Sequence, residues 1–152
     1  MPESETIFVI QKHQATRLHY DFRLEYEGVL QSWAVPKGPS LNPQEKRLAL
    51  VVEDHALDHA SHESENCIIW DRGTYVNITG ASTGEFIPLK QALKNGVLEI
   101  ELKGERLKGG WNLVRMGKEN NQENWLLIKK KDEFAQPDFD IEKEKGSLVS
   151  DR

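Results

Sequence analysis

The segment from His13 to Glu25 holds the densest set of side chains able to do chemistry: His13, His19, Asp21 and Arg23. Successive side chains of a strand point to opposite faces. His19, Asp21, Arg23 and Glu25 therefore share one face, while Leu18, Tyr20, Phe22 and Leu24 share the other. His13 lies one short loop upstream and can return to the polar face. Two imidazoles and a carboxylate form a mixed nitrogen and oxygen donor set that leaves coordination positions for water and substrate, and zinc, manganese and ferrous iron all accept it. The fork of Arg23, two residues beyond the carboxylate, can take two oxygens of a phosphate held at such a metal. That pairing points to phosphoryl chemistry.

The elements that must position these residues are mostly strands. Segments rich in β-branched and aromatic residues run over Ile7–Gln11, Leu18–Glu25, Val29–Val35, Leu48–Glu53, Cys67–Trp70, Thr74–Thr79, Val97–Leu102, Trp111–Met116 and Trp125–Lys130, separated by turn signals. Their spacing suggests an antiparallel barrel or sandwich, and the expectation is a mainly β fold: an antiparallel β-barrel of about eight strands with short flanking helices. One helix is expected from Pro88 to Asn95, with Pro at its start and Gly96 as its C-cap. Trp33, Trp70, Trp111 and Trp125 fall in strand-like runs, where core packing is expected of them and not base stacking. His62 and Asp71 carry no spacing argument and read as surface and turn residues.

The 152 residues fit one barrel domain over 1–131, followed by a charged tail or linker over 132–152. That tail holds seven acids and three bases, so most of the net charge of −5 sits there and the body is near neutral. Lys12, Arg17, Arg23, Lys37, Lys46 and Arg47 all precede position 50, which permits a local positive face suited to a strand end more than to long duplex. The single cysteine, Cys67, allows no internal disulfide and no zinc knuckle, and it lies in an apolar run where burial is its expected role. No apolar run approaches a membrane span, and Met1–Thr6 lacks the apolar stretch of a signal peptide, so a cytoplasmic location is expected. No P-loop is present, so ATP is not an expected cofactor.

These motifs resemble a known family. The run His13–Glu25, then Ser32–Ser40, Lys46–Ala49 and Glu53-Asp54-His55, is similar to the 3′-phosphoesterase domain of DNA ligase D. The similarity continues through Ile69–Tyr75, Leu107–Met116 and Trp125–Lys129, in order along nearly the whole chain. The resemblance implies an enzyme that removes a terminal ribonucleoside and then the remaining 3′-phosphate, leaving a 3′-hydroxyl for polymerase or ligase. The metal it implies is manganese, with zinc or cobalt as alternatives. The partners it implies are DNA or RNA-tailed DNA 3′ ends and a separate DNA ligase and polymerase.

By the same resemblance, His13, His19 and Asp21 match metal ligands, and Arg23, His55 and His59 match phosphate-contacting or catalytic residues. Lys37 and Arg47 match basic residues implicated in activity. Two departures stand out: His59 occupies a position that is usually tyrosine, and Glu63–Asn66 runs directly into Cys67 where the family carries a glycine-rich insertion. Two other readings follow from the residues. His19 and Asp21 with the distant His55 imitate the two-histidine, one-carboxylate triad of a ferrous-iron oxygenase. A noncatalytic end-binding module is the other.

Overall fold

The computed structural model describes residues 6–119, 121–144 and 146–147. Eight strands close into one antiparallel barrel: β1 (Thr6–Gln14), β2 (Leu18–Tyr26), β3 (Val29–Val35), β4 (Arg47–Ala56), β5 (Cys67–Asn77), β6 (Val97–Gly104), β7 (Lys108–Glu119) and β8 (Gln122–Lys129). The nine expected segments become eight strands because Cys67–Trp70 and Thr74–Thr79 are parts of one long strand, β5. Asp71 and Gly73 are in that strand and not in a turn: Gly73 lies so close to the β6 backbone that a Cβ would meet Lys103 O at 2.0 Å.

The closing order around the barrel is β1-β2-β3-β4-β8-β7-β6-β5. Each half is a meander, and the halves join through β4–β8 and β1–β5. This order leaves three strands, β3, β2 and β1, between β4 and β5. The chain from 57 to 66 must therefore cross the outside of the barrel, and it does so over the polar face of β1 and β2.

Strand alternation fills the interior. Phe8 and Ile10 of β1, Tyr20, Phe22 and Leu24 of β2 and Trp33 and Val35 of β3 point inward, where they meet Trp70, Ile100, Trp111 and Trp125. All four tryptophans are buried in this core, as expected, and Trp33 and Trp125 meet edge to face at 5.8 Å between centroids. Cys67 is buried too. The helix α1 spans Leu89–Asn95, with Pro88 at its N-cap and Gly96 closing it at φ 82°, a left-handed conformation that glycine adopts without strain. Among the described residues no helix is long and apolar enough to cross a membrane.

The segment beyond Lys131 lies against the barrel over its described part. Phe139 and Ile141 pack on the core, Gln136 N–H donates to Leu41 O (2.8 Å), and Trp70 Nε1 donates to Glu144 O (2.6 Å). Asp132 anchors its start. Its carboxylate pairs with the ammonium of buried Lys129 (2.7 Å) and accepts the N–H groups of Gly110 and Phe134. Burial alone would raise the Asp132 carboxyl, but Lys129 and those N–H groups outweigh it and hold it below the ordinary carboxylate value. The stabilisation is therefore present above the ordinary carboxylate range and lost as pH falls through the lowered value. Asp132→Ala leaves a buried ammonium unpaired and is expected to cost about 3 kcal/mol. A denaturant titration at neutral pH checks this, and the difference from wild type should shrink at strongly acid pH.

Candidate metal centre and phosphate site

The register of the first three strands assembles the site. His13 lies opposite His19 and Gln11 opposite Asp21 between β1 and β2, while Asp21 faces Ala34 and Arg23 faces Ser32 between β2 and β3. The expected polar face of β2 is therefore real, but it is not open to solvent. Gln11, Asp21, Arg23 and Ser32 are all buried, and the crossing segment is tied down on Gln11. Both N–H bonds of the Gln11 amide hold that segment, donating to His59 O (2.9 Å) and His62 O (3.1 Å).

At the outer end of this face, the donor atoms of His13, His19 and Asp21 lie within 4.8 Å of one another. Asp21 Oδ1 is 3.2 Å from His19 Nε2 and Oδ2 is 3.7 Å from His13 Nδ1, and the two rings meet edge to face. His19 Nδ1 lies 3.3 Å from Arg17 O and its Nε2 lies 3.2 Å from Asp21 Oδ1, so a proton on Nδ1 serves the first contact and frees Nε2 as a metal donor, while a proton on Nε2 serves the second. Two imidazoles and a carboxylate whose donor atoms converge at a partly exposed position fit a divalent metal with open positions.

Arg23 sits behind the cluster at 3% exposure. Its Nη2 reaches Asp21 Oδ2 (3.3 Å), Nε donates to Gln11 Oε1 (2.7 Å), and Nη1 serves Ser32 Oγ (2.8 Å) and His55 Nδ1 (2.9 Å). These contacts engage four of the five guanidinium N–H bonds. One remains for a ligand, so the two-pronged grip expected from the sequence requires Arg23 to release a present partner. Burial lowers the guanidinium's pKa from its ordinary value and Asp21 opposes that shift.

A guanidinium only donates, so the contact with Arg23 places the His55 proton on Nε2, where it can be offered to a phosphate. Glu53 O, 3.0 Å from the same Nδ1, favours the other tautomer. The ring satisfies one of these neighbours at a time. The oxygenase triad does not assemble: His13 completes the cluster, and Arg23 stands between Asp21 and His55.

His59 follows in the turn Leu57–Ser61. Its ring lies 4.5 Å from that of His55 and 4.9 Å from that of His62, the last pair within 13° of parallel. Burial lowers the His59 pKa, and Arg23, His55 and His62 lower it further, against a smaller pull from Asp21. The lowered value favours the neutral imidazole at neutral pH and above. Lys37 is exposed in the turn after β3, and Arg47 opens β4 paired with Glu45 (3.4 Å); neither bonds to the cluster among the described residues. The short crossing ends in a tight Ser64–Cys67 bridge, with Gln14 N–H donating to Asn66 O (2.7 Å).

Two site residues were not foreseen from sequence. Gln11 shares a strand face with His13, a signal the spacing contained. Ser32 becomes visible only once β3 is paired with β2. Asp71, expected in a turn, is buried with its carboxylate accepting the N–H groups of Arg72, Glu105, Arg106 and Leu107, a structural role.

Comparison with known proteins adds the following. Residues 11–115 match the family model described as the DNA Ligase D 3′-phosphoesterase domain. The chain is 43% identical over 157 residues to the multifunctional non-homologous end joining protein LigD of Pseudomonas aeruginosa, covering 95% of this chain and 18% of that protein. It is 38% identical over 144 residues to the Mycobacterium tuberculosis multifunctional non-homologous end joining DNA repair protein LigD, covering 89% and 17%. The Mycolicibacterium smegmatis LigD is 34% identical over 140 residues, covering 83% and 17%. The chain thus spans less than a fifth of the length of these relatives.

Proposed function

Because the chain belongs to the DNA ligase D 3′-phosphoesterase domain family, we propose that it is a metal-dependent phosphoesterase that clears blocked 3′ ends during DNA end joining. The substrates proposed are DNA or RNA-tailed DNA 3′ ends carrying a ribonucleoside or a phosphate, and the product is a 3′-hydroxyl for a separate polymerase and ligase. The observation that carries this reading is Asp21, whose two oxygens address two imidazoles on one side and a buried guanidinium on the other. Such a bridge couples a metal position to a fixed positive charge beside it.

His13, His19 and Asp21 would hold the metal, manganese first, with zinc and cobalt as alternatives. Bound there, it supplies Lewis-acid polarisation of a phosphate oxygen and an activated water. The remaining work belongs to the chain. Arg23 fixes positive charge next to the phosphate and, through Gln11, ties it to the crossing segment. His55 offers Nε2–H to the phosphate or to the leaving oxygen. His59, as a neutral imidazole, donates one hydrogen bond, as the tyrosine expected at this position would. Lys37 and Arg47 are proposed as outer contacts to the strand, on the family resemblance alone.

A 5′-labelled primer-template ending in a 3′-phosphate or a single 3′-ribonucleotide, incubated with manganese or with chelator, tests the reading. Manganese-dependent appearance of a 3′-hydroxyl end is expected, whereas binding without turnover favours the noncatalytic end-binding module. His59 adds a pH test. With its pKa lowered, wild type and His59→Tyr are expected to have similar rates at neutral and alkaline pH, and to diverge only on the acid side of the ordinary histidine range. A divergence centred above that range contradicts a neutral His59.

A further inference from the structure

The turn Leu57–Ser61 winds with three residues per turn, so residues three apart eclipse each other, and His62 N–H closes the turn onto His59 O (3.1 Å). That geometry stacks the His59 and His62 rings almost parallel. His59 also meets the ring of His55, at 4.5 Å between centroids and tilted by 35°, so the three imidazoles form a connected column. It starts beside buried Arg23 and ends on His62, which is exposed. Gln11 fixes the column by holding the carbonyls of both His59 and His62.

We propose that the exposed ring of His62 is a base-stacking subsite for the nucleoside on the 3′ side of the scissile phosphate. The inference rests on the phosphoesterase reading above, which puts a phosphate beside Arg23, His55 and His59. A terminal base has one face unstacked, since nothing follows it in the strand. A flat ring held at the end of a fixed column, one ring beyond the phosphate contacts, offers that face a partner. Stacking of this kind tolerates any base, as end processing requires.

The test compares His62→Ala and His62→Phe with wild type on two primer-templates, one ending in a 3′-ribonucleotide and one in a 3′-phosphate. Binding is read by fluorescence anisotropy in chelator and turnover in manganese. His62→Ala should weaken binding of the ribonucleotide-ended strand, and raise its KM, by about 5- to 20-fold. The 3′-phosphate strand, which lacks that nucleoside, should be unaffected, and His62→Phe should restore the loss. Equal weakening on both substrates overturns the subsite in favour of a role exerted through His59. No change on either, or no rescue by Phe, also overturns it. If wild type turns over neither substrate, the phosphoesterase reading itself fails, a result distinct from these.

Discussion

Asp21→Ala is expected to abolish 3′-end processing and also to destabilise the barrel by about 3–5 kcal/mol, while His19→Ala abolishes the same activity with little change in stability. The sequence places both residues on one polar strand face and treats them alike. The structure separates them. Asp21 is 6% exposed and its carboxylate faces the guanidinium of Arg23, which no other carboxylate reaches among the described residues. Removing it strands a buried positive charge between Gln11, Ser32 and His55. His19 lies at the open end of the face, and among the described residues its polar and ring contacts are with Asp21, the ring of His13 and Arg17 O. Both variants lose a proposed metal donor, so each should lose roughly a thousandfold or more in kcat/KM. Denaturant midpoints of the two, measured beside their rates, decide the matter. Equal stability would mean that Arg23 does not depend on Asp21.

The second large effect falls on Arg23→Lys. A lysine keeps the charge but offers three donors from one point, where the guanidinium addresses four partners in different directions through three nitrogens. Gln11 Oε1 and Ser32 Oγ lose donors in a buried setting. The loss is expected to be about 2–3 kcal/mol of stability. The rate should fall by roughly a hundredfold or more, because Gln11 also holds the His59 and His62 carbonyls. The informative comparison is with Gln11→Leu, which keeps Arg23 but releases the crossing segment. If Arg23 acts partly by anchoring that segment, Gln11→Leu should raise KM for both substrates while leaving manganese binding unchanged. Near wild-type rates in Arg23→Lys would remove Arg23 from the site's working parts.

How much of this was legible in the sequence depended on the range of the interaction. Alternation along β2 separated the inward Tyr20, Phe22 and Leu24 from the outward Asp21 and Arg23, because a period of two is a local property. The helix before Gly96 was legible for the same reason. Pairing order is not local. Nothing in the residues states that β4 joins β8, yet that choice forces residues 57–66 across the polar face, buries Arg23 and brings His62 onto His59. For that reason His62 read as an ordinary surface residue. The charge-rich segment after Lys131 read as a linker because its acids outweigh its apolar residues, but Phe139 and Ile141 suffice to lay it on the core and Asp132 to start it there.

The central claim is that His13, His19 and Asp21 together hold the metal on which 3′-end processing depends. Its most direct test is a calorimetric titration of manganese into the full chain and into His19→Ala, which removes a donor without stranding Arg23. One manganese per chain is expected for wild type, with at least about a hundredfold weaker binding in the folded variant and a matching loss of 3′-phosphate release. Unchanged affinity and stoichiometry in folded His19→Ala would contradict the account and place the metal elsewhere.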